Sequence, residues 1–136
     1  MSIIYITAGP YQFSARFEEQ AAPKTCAAFH TLLPYRQKLI HARWSGEACW
    51  IPLGDSDLGV VYENHTSFPS RGDILFHPGG ISECEILFTY GSARFASKVG
   101  QLAGNHFLTI VSGHEYLADL GRLVLWQGAQ DIQFEA

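Results

Sequence analysis

Arg71-Gly72-Asp73-Ile74-Leu75-Phe76-His77-Pro78-Gly79-Gly80-Ile81-Ser82-Glu83-Cys84-Glu85-Ile86-Leu87-Phe88 reads as two strands joined by a turn, and this reading decides the fold. Ile74 and Phe76 alternate with Leu75 and His77, and Cys84, Ile86 and Phe88 alternate with Glu83, Glu85 and Leu87. Alternation with period two belongs to β-strands, whose successive side chains point to opposite faces. Pro78-Gly79-Gly80 carries the chemistry of the turn between them. One histidine and two glutamates share this apolar stretch, and such groups are rarely buried in a core without partners. They mark a candidate site on a β scaffold.

Outward from this hairpin, strands dominate. Ile3-Ile4-Tyr5-Ile6 is β-rich, Gly9-Pro10 signals a turn, and Tyr11, Phe13, Ala15 and Phe17 then share one face, which predicts a first hairpin. One main helix is expected over about residues 23–33, where Ala22, Cys26, Phe29 and Leu33 recur at helical spacing. Pro23 suits its first turn, Thr25 is an alternative cap, and Pro34 stops it. After Pro34 everything reads as strands and turns. Ile40, Ala42 and Trp44 share one face with His41 and Arg43 on the other, and 106–111, 122–126 and 132–134 are further strands. The segment 92–104 has room for a helical turn. Many short strands with one helix point to a β-barrel or sandwich in a single domain, residues 1–136.

The composition is globular, with 47% hydrophobic, 13% aromatic and 16% charged residues. A net charge of −4 and the lack of any Lys or Arg run argue against nucleic acid or an anionic membrane as partner. Cys26, Cys49 and Cys84 are odd in number and widely spaced, so they predict neither a disulfide framework nor a zinc site. They read as buried reduced thiols of a cytoplasmic protein, and the first nine residues have no signal-peptide pattern.

Candidate site residues cluster around the opening hairpin. Glu83 and Glu85 lie two apart on a strand and so face the same way, about 6–7 Å apart at the α-carbons. Close carboxylates can split their pKa values, act as acid and base, or bind a cation or an amine. They read equally as a solvated strand face. His77 lies across the turn from them. Arg43 offers a donor fork for a carboxylate or carbonyl oxygen, and Trp44 or Trp50 could wall a pocket beside it. The plainer reading makes these tryptophans core residues. His65, in the polar segment Glu63-Asn64-His65, is a weaker loop candidate. No H-x-H, H-E-x-x-H or G-x-S-x-G motif occurs, so no metal, no cofactor and no nucleophile is predicted, His77 with Glu83 and Glu85 is the one cluster left open as metal ligands, and catalytic residues stay unassigned.

Ala22-Pro23-Lys24-Thr25-Cys26-Ala27-Ala28-Phe29 after a first hairpin resembles the cyclophilins, whose second strand runs into an A-P-K-T-type helix. The stretch Gly72-Asp73-Ile74-Leu75-Phe76-His77-Pro78-Gly79-Gly80 is similar to small bacterial cyclophilin-like proteins. Over its full length, through 41–50, 72–88 and 120–130, the chain looks like one family of uncharacterised bacterial proteins with a cyclophilin-like fold. The resemblance implies a closed, mostly antiparallel barrel plugged by a helix, with a ligand groove on the outer wall. It departs from the cyclophilins where their activity resides. Leu39-Ile40-His41-Ala42-Arg43-Trp44 offers only Arg43 in place of an F-H-R stretch, and no Q-G-G-D follows, so proline isomerase activity is not expected. Cyclophilin-like domains also occur in subunits of 5-oxoprolinase and allophanate hydrolase types, which makes small amide or cyclic-amide metabolism a second reading. A cupin-like jelly roll is the alternative fold.

The sequence thus predicts a cytoplasmic cyclophilin-like barrel that binds a small polar molecule or a short peptide. Arg43 would anchor the ligand, Trp44 or Trp50 would pack on it, and His77, Glu83 and Glu85 would set polarity. A homo-oligomeric, non-catalytic assembly module is the remaining class.

Overall fold

β1 (Ile3–Ala8) and β2 (Tyr11–Phe17) form the predicted first hairpin, with Ile4, Ile6, Phe13, Ala15 and Phe17 turned inward. The structure, a computed structural model, describes residues 2–136; Met1, the first residue of the expected domain, lies outside the described residues. Helix α1 (Pro23–His30) follows, then β3 (Tyr35–His41), β4 (Gly46–Gly54) and a two-residue β5 (His65–Thr66). The opening hairpin is β6 (Asp73–His77) with β7 (Cys84–Ala93). Beyond it come β8 (Ala96–Ser97), β9 (Gly100–Gln101), β10 (Gly104–Ser112), α2 (Leu117–Gln127) and β11 (Gln130–Glu135).

Eight strands run β2-β1-β11-β3-β4-β7-β6-β10 in antiparallel order, and β10 pairs back to β2. That last pairing closes the sheet into a barrel, which abolishes its edges. The predicted mostly-β, closed antiparallel barrel is therefore the observed fold. The jelly-roll alternative fails, because two packed sheets would not form one ring. The barrel interior is filled by inward residues of every strand, among them Leu39, Ile51, Ile74, Phe76, Ile86, Phe88 and Phe134.

Each end of the barrel is stoppered. Phe29 of α1 packs edge-on against Phe17, Tyr35, Phe107 and Phe134 at centroid distances of 5.1–6.4 Å, which places α1 over the end where β2 and β11 stop and β3 begins. The helix is shorter than the expected 23–33. A residue before proline avoids the helical region, and the chain ahead of Pro34 tightens into i→i+3 bonds, Leu32 to Phe29 and Leu33 to His30.

At the opposite end lies a second helix, which corrects the expectation of one. Residues 122–126, read as a strand, belong to α2, whose Leu117, Leu120, Gly121 and Val124 face the core at helical spacing. The apolar run Leu123-Val124-Leu125-Trp126 imitates a strand, yet Trp126 is exposed and only the helical stripe is buried. Neither helix is long and apolar enough to cross a membrane.

Gly121 lets α2 approach the barrel, since a methyl group built there would land on the Tyr90 ring. Alanine is the better helix former by about 1 kcal/mol. Gly121→Ala nevertheless should destabilise the protein by about 1–3 kcal/mol through overpacking, read as a lower urea midpoint at unchanged m-value.

Candidate functional site

The outer face of β4, β6 and β7 carries a second apolar layer instead of meeting water. Ala48, Leu75 and Leu87 project outward from these strands and are covered by Phe95 and Leu102, with Ala42 at the margin and Trp50 and Ala93 packed alongside. Phe95 and Leu102 flank the β8–β9 hairpin, which folds back onto the wall. The segment 92–104, expected to hold a helical turn, is this extended arm. Ser45 pins it: its Oγ donates to the Ala96 carbonyl (3.0 Å) and accepts from the Ala96 amide (3.1 Å), while its own carbonyl accepts from Arg94. Gly104 is required beneath, because a side chain there would collide with Phe95 and Leu75.

Between the arm and the wall lies a cavity of about 250 Å³. Trp44, Trp50, Glu83 and Glu85 line it, which brings together four of the seven residues singled out in the sequence. Ala42 and Ala96 complete its apolar part, and Ser82, Ser97 and Lys98 its polar part. Four larger grooves, of about 300, 380, 720 and 800 Å³, open elsewhere on the surface, but none contains a buried ionisable side chain.

Glu85 gives the cavity its chemistry. The residue is only 4% exposed, and its side chain lines the cavity. Burial first, and the neighbouring Glu83 carboxylate second, push its pKa up to about 8. Near neutral pH Glu85 thus carries a proton while the exposed Glu83 lines the same space.

His77 stands directly across from Glu85 in the β6–β7 ladder, so both project from the same outward face. It is fully buried and lies against Phe95, its ring 5.9 Å away. Nδ1 donates to the Ala103 carbonyl at 2.7 Å, and Nε2 is buried without any partner among the described residues. With the proton on Nδ1, Nε2 presents a bare lone pair. His77 itself does not line the cavity.

Arg43 and His65 fall elsewhere. β3 ends at His41, and residues 42–46 form a turn in which Ser45 bonds back to Ala42 and Gly46 to Arg43. Strand parity therefore lapses there: Trp44 reaches the cavity, whereas Arg43 is exposed and does not line it. Arg43 acts instead on His41, whose imidazole is pushed down by burial and then by this guanidinium, while His41 Nε2 bonds the Tyr90 hydroxyl at 2.8 Å. His65 is exposed on β5 and stacks on Tyr62 with ring centroids 4.7 Å apart.

The polar segment before His65 is structural. Glu63 Oε2 accepts from the Thr25 amide (2.6 Å) and the Thr25 hydroxyl (2.7 Å), satisfying a first-turn donor of α1 that Ala22 at the N-cap cannot. Buried Asn105 joins in, accepting from the Glu63 amide and donating to Thr25 Oγ1 and to the Val61 carbonyl.

Ser82, Ser97 and Lys98 were not foreseen in the sequence. The signal available was the pairable Ala96-Ser97 and Gly100-Gln101 around a Lys98-Val99 turn, a weak hairpin pattern. Among the described residues, no three His, Cys, Asp or Glu side chains come together to hold a metal ion.

Residues 4–136 match the model of a family, DUF3830, described as a protein of unknown function. No curated protein matches the chain. Among solved structures, McbB in complex with tryptophan is similar at a TM-score of 0.74 and 17% identity over 97% of this chain. This chain spans only 44% of that protein. The solution structure of the hypothetical protein AF2241 from Archaeoglobus fulgidus is similar at a TM-score of 0.67 and 16% identity, covering 98% of this chain and 93% of the other. Both likenesses are of fold.

Two outcomes follow from this geometry. Glu63→Ala should lower stability by about 1–2 kcal/mol, measured by urea unfolding. Glu85 binds more protons folded than unfolded between its ordinary 4.5 and about 8, so stability should fall as pH rises through that window. The slope should be roughly 1 kcal/mol per pH unit, and Glu85→Gln, neutral throughout, should flatten it.

Proposed function

We propose, on the premise that the chain belongs to the DUF3830 family, that this barrel binds a small polar or peptide-like ligand in the outer-wall cavity under the β8–β9 arm. One observation carries the reading: two tryptophans and two carboxyl groups, drawn from β4, the β3–β4 turn, β7 and the approach to β7, face one cavity of about 250 Å³. A concave, largely apolar pocket with a few converging polar groups is the usual form of a small-molecule site. A buried carboxyl with a displaced pKa marks function more often than surface charge does.

The likeness to McbB supports the reading at the level of fold. That protein has been captured with tryptophan, and a barrel of related shape is thus compatible with a small-molecule site. The cyclophilin-like character of the barrel, with a ligand groove on its outer wall and no isomerase motif, belongs to the same proposal. Arg43 has no part in it as an anchor, because it does not line the cavity.

A second reading, processing of a small amide or cyclic amide, is favoured by a single feature. A glutamic acid still protonated up to about pH 8 is poised as a general acid toward a carbonyl-bearing ligand. Hydrolysis of such an amide, lost in Glu85→Gln with ligand binding retained, would support it.

The test of the binding reading is thermal-shift screening of the full chain against small polar metabolites and short peptides. Ligands that raise the melting temperature should lose at least tenfold in affinity in Trp50→Ala and in Glu85→Gln, and keep it in His65→Ala. Shifts unchanged in both cavity variants would place the ligand elsewhere.

A further inference from the structure

Two carboxyl groups, one of them buried, set what the cavity can take. Glu85, once ionised, can only accept hydrogen bonds. His77, directly across the ladder from Glu85, lies outside the cavity lining and offers it no donor. Glu83 adds two more acceptor oxygens at the rim. Ionising a carboxyl group in so enclosed a place is costly unless a donor meets it, so a ligand that brings N–H donors and positive charge is the one that offsets that cost.

The charges point the same way. From its own strand and approach Glu85 is faced by Glu83, from β6 by His77, and from the β8–β9 turn by Lys98. β4 offers Pro52 and Trp50, neither charged. Lys98 is exposed and makes no ion pair with either glutamate. No arginine lines the cavity, so an anion would meet two carboxyl groups with one mobile ammonium in compensation. Trp44 and Trp50 contribute indole surfaces, whose faces attract cations.

We propose that the ligand class of this cavity is the organic ammonium ion, a primary amine borne on a small apolar or aromatic body, and that its binding expels the proton of Glu85. The proposal rests on the reading that the outer-wall cavity is a ligand site and names what that site takes. The balance is simple: R–NH₃⁺ enters, Glu85–COOH becomes Glu85–COO⁻, and one proton leaves to solvent. No bond to carbon is made or broken. Three N–H donors on the ammonium match Glu85, Glu83 and one hydroxyl oxygen of Ser82 or Ser97. Capture leaves the cavity's charge unchanged, because the cation replaces a proton. The raised pKa of Glu85 agrees with a site kept neutral until the cation arrives.

Isothermal titration calorimetry with benzylamine, benzyl alcohol and benzoate separates the alternatives, run on the full chain in two buffers of different ionisation heat. Benzylamine should bind at least tenfold more tightly than the other two. Its affinity should rise by up to about tenfold per pH unit from about pH 6 to 8, with close to one proton released per amine at the lower end. Glu85→Gln, which removes a buried acid and so should fold, must abolish the release and weaken benzylamine at least tenfold. Benzyl alcohol or benzoate binding as well as the amine, with loss in Trp50→Ala, would overturn the ammonium assignment and leave the cavity reading standing. Amine binding without proton release would overturn the exchange with Glu85. If none of the three probes binds, and metabolite-induced melting shifts survive both Trp50→Ala and Glu85→Gln, the assignment and the cavity reading fall together.

Discussion

The pairing of β10 with β2 is the constraint on which the other features depend. Leu108, Thr109 and Ile110 lie opposite Phe17, Arg16 and Ala15, and a register shift before Ser112 lets the strand bend through the last step. Once the ring is shut, every strand has two neighbours and the inward faces form a single apolar interior. Two openings remain, at the ends of the barrel, and each receives a helix: α1 by driving Phe29 into a ring of aromatic edges, α2 by seating Gly121 on Tyr90. That interior is filled by apolar side chains from every strand of the ring. The buried ionisable side chain that lines a cavity, Glu85, lies on the outside.

On most of the circumference the outside is solvated, as it should be for alternating strands. The wall of β4, β6 and β7 differs because the chain between β7 and β10 doubles back over it. Phe95 and Leu102 turn part of an outer surface into an interior, and groups that would have been hydrated, Glu85 and His77, are caught at its margin. The perturbation of Glu85 is therefore produced by the β8–β9 arm as much as by the strand that bears it. A carboxyl group here reduces stability near neutral pH, and Ser45, Gly104 and the apolar layer hold the arrangement in place against that effect.

Much of this was legible in the sequence wherever a local period governed the outcome. Alternation over residues 71–88 separated Ile74, Phe76, Cys84, Ile86 and Phe88 from Leu75, His77, Glu85 and Leu87, and the structure divides them in the same way between interior and outer wall. The first hairpin and the helix beginning at Pro23 were also readable. What failed was local pattern carried past its limits. Parity counted beyond His41 put Arg43 and Trp44 on opposite strand faces in a region that is a turn, so it could not show that Trp44 lines the outer-wall cavity while Arg43 does not. In α2 the run Leu123-Val124-Leu125-Trp126 outweighed the helical spacing of Leu117, Leu120, Gly121 and Val124, and a glycine inside the helix concealed it further. Ser82, Ser97 and Lys98 could not be found locally at all. Their place depends on the arm folding onto the wall, a contact between segments that share no pattern.

The bond from Glu63 to Thr25 spans 38 residues, and it ties together parts of the molecule that look independent on paper. Helix α1 has eight residues, too few to persist alone in water, and its first-turn amide finds an acceptor only in the loop leading to β5. That loop is in turn held by Asn105 of β10. Stopper, loop and strand therefore form one cooperative unit. Loosening the loop would release the helix, and the barrel would lose its seal at that end before any strand had separated.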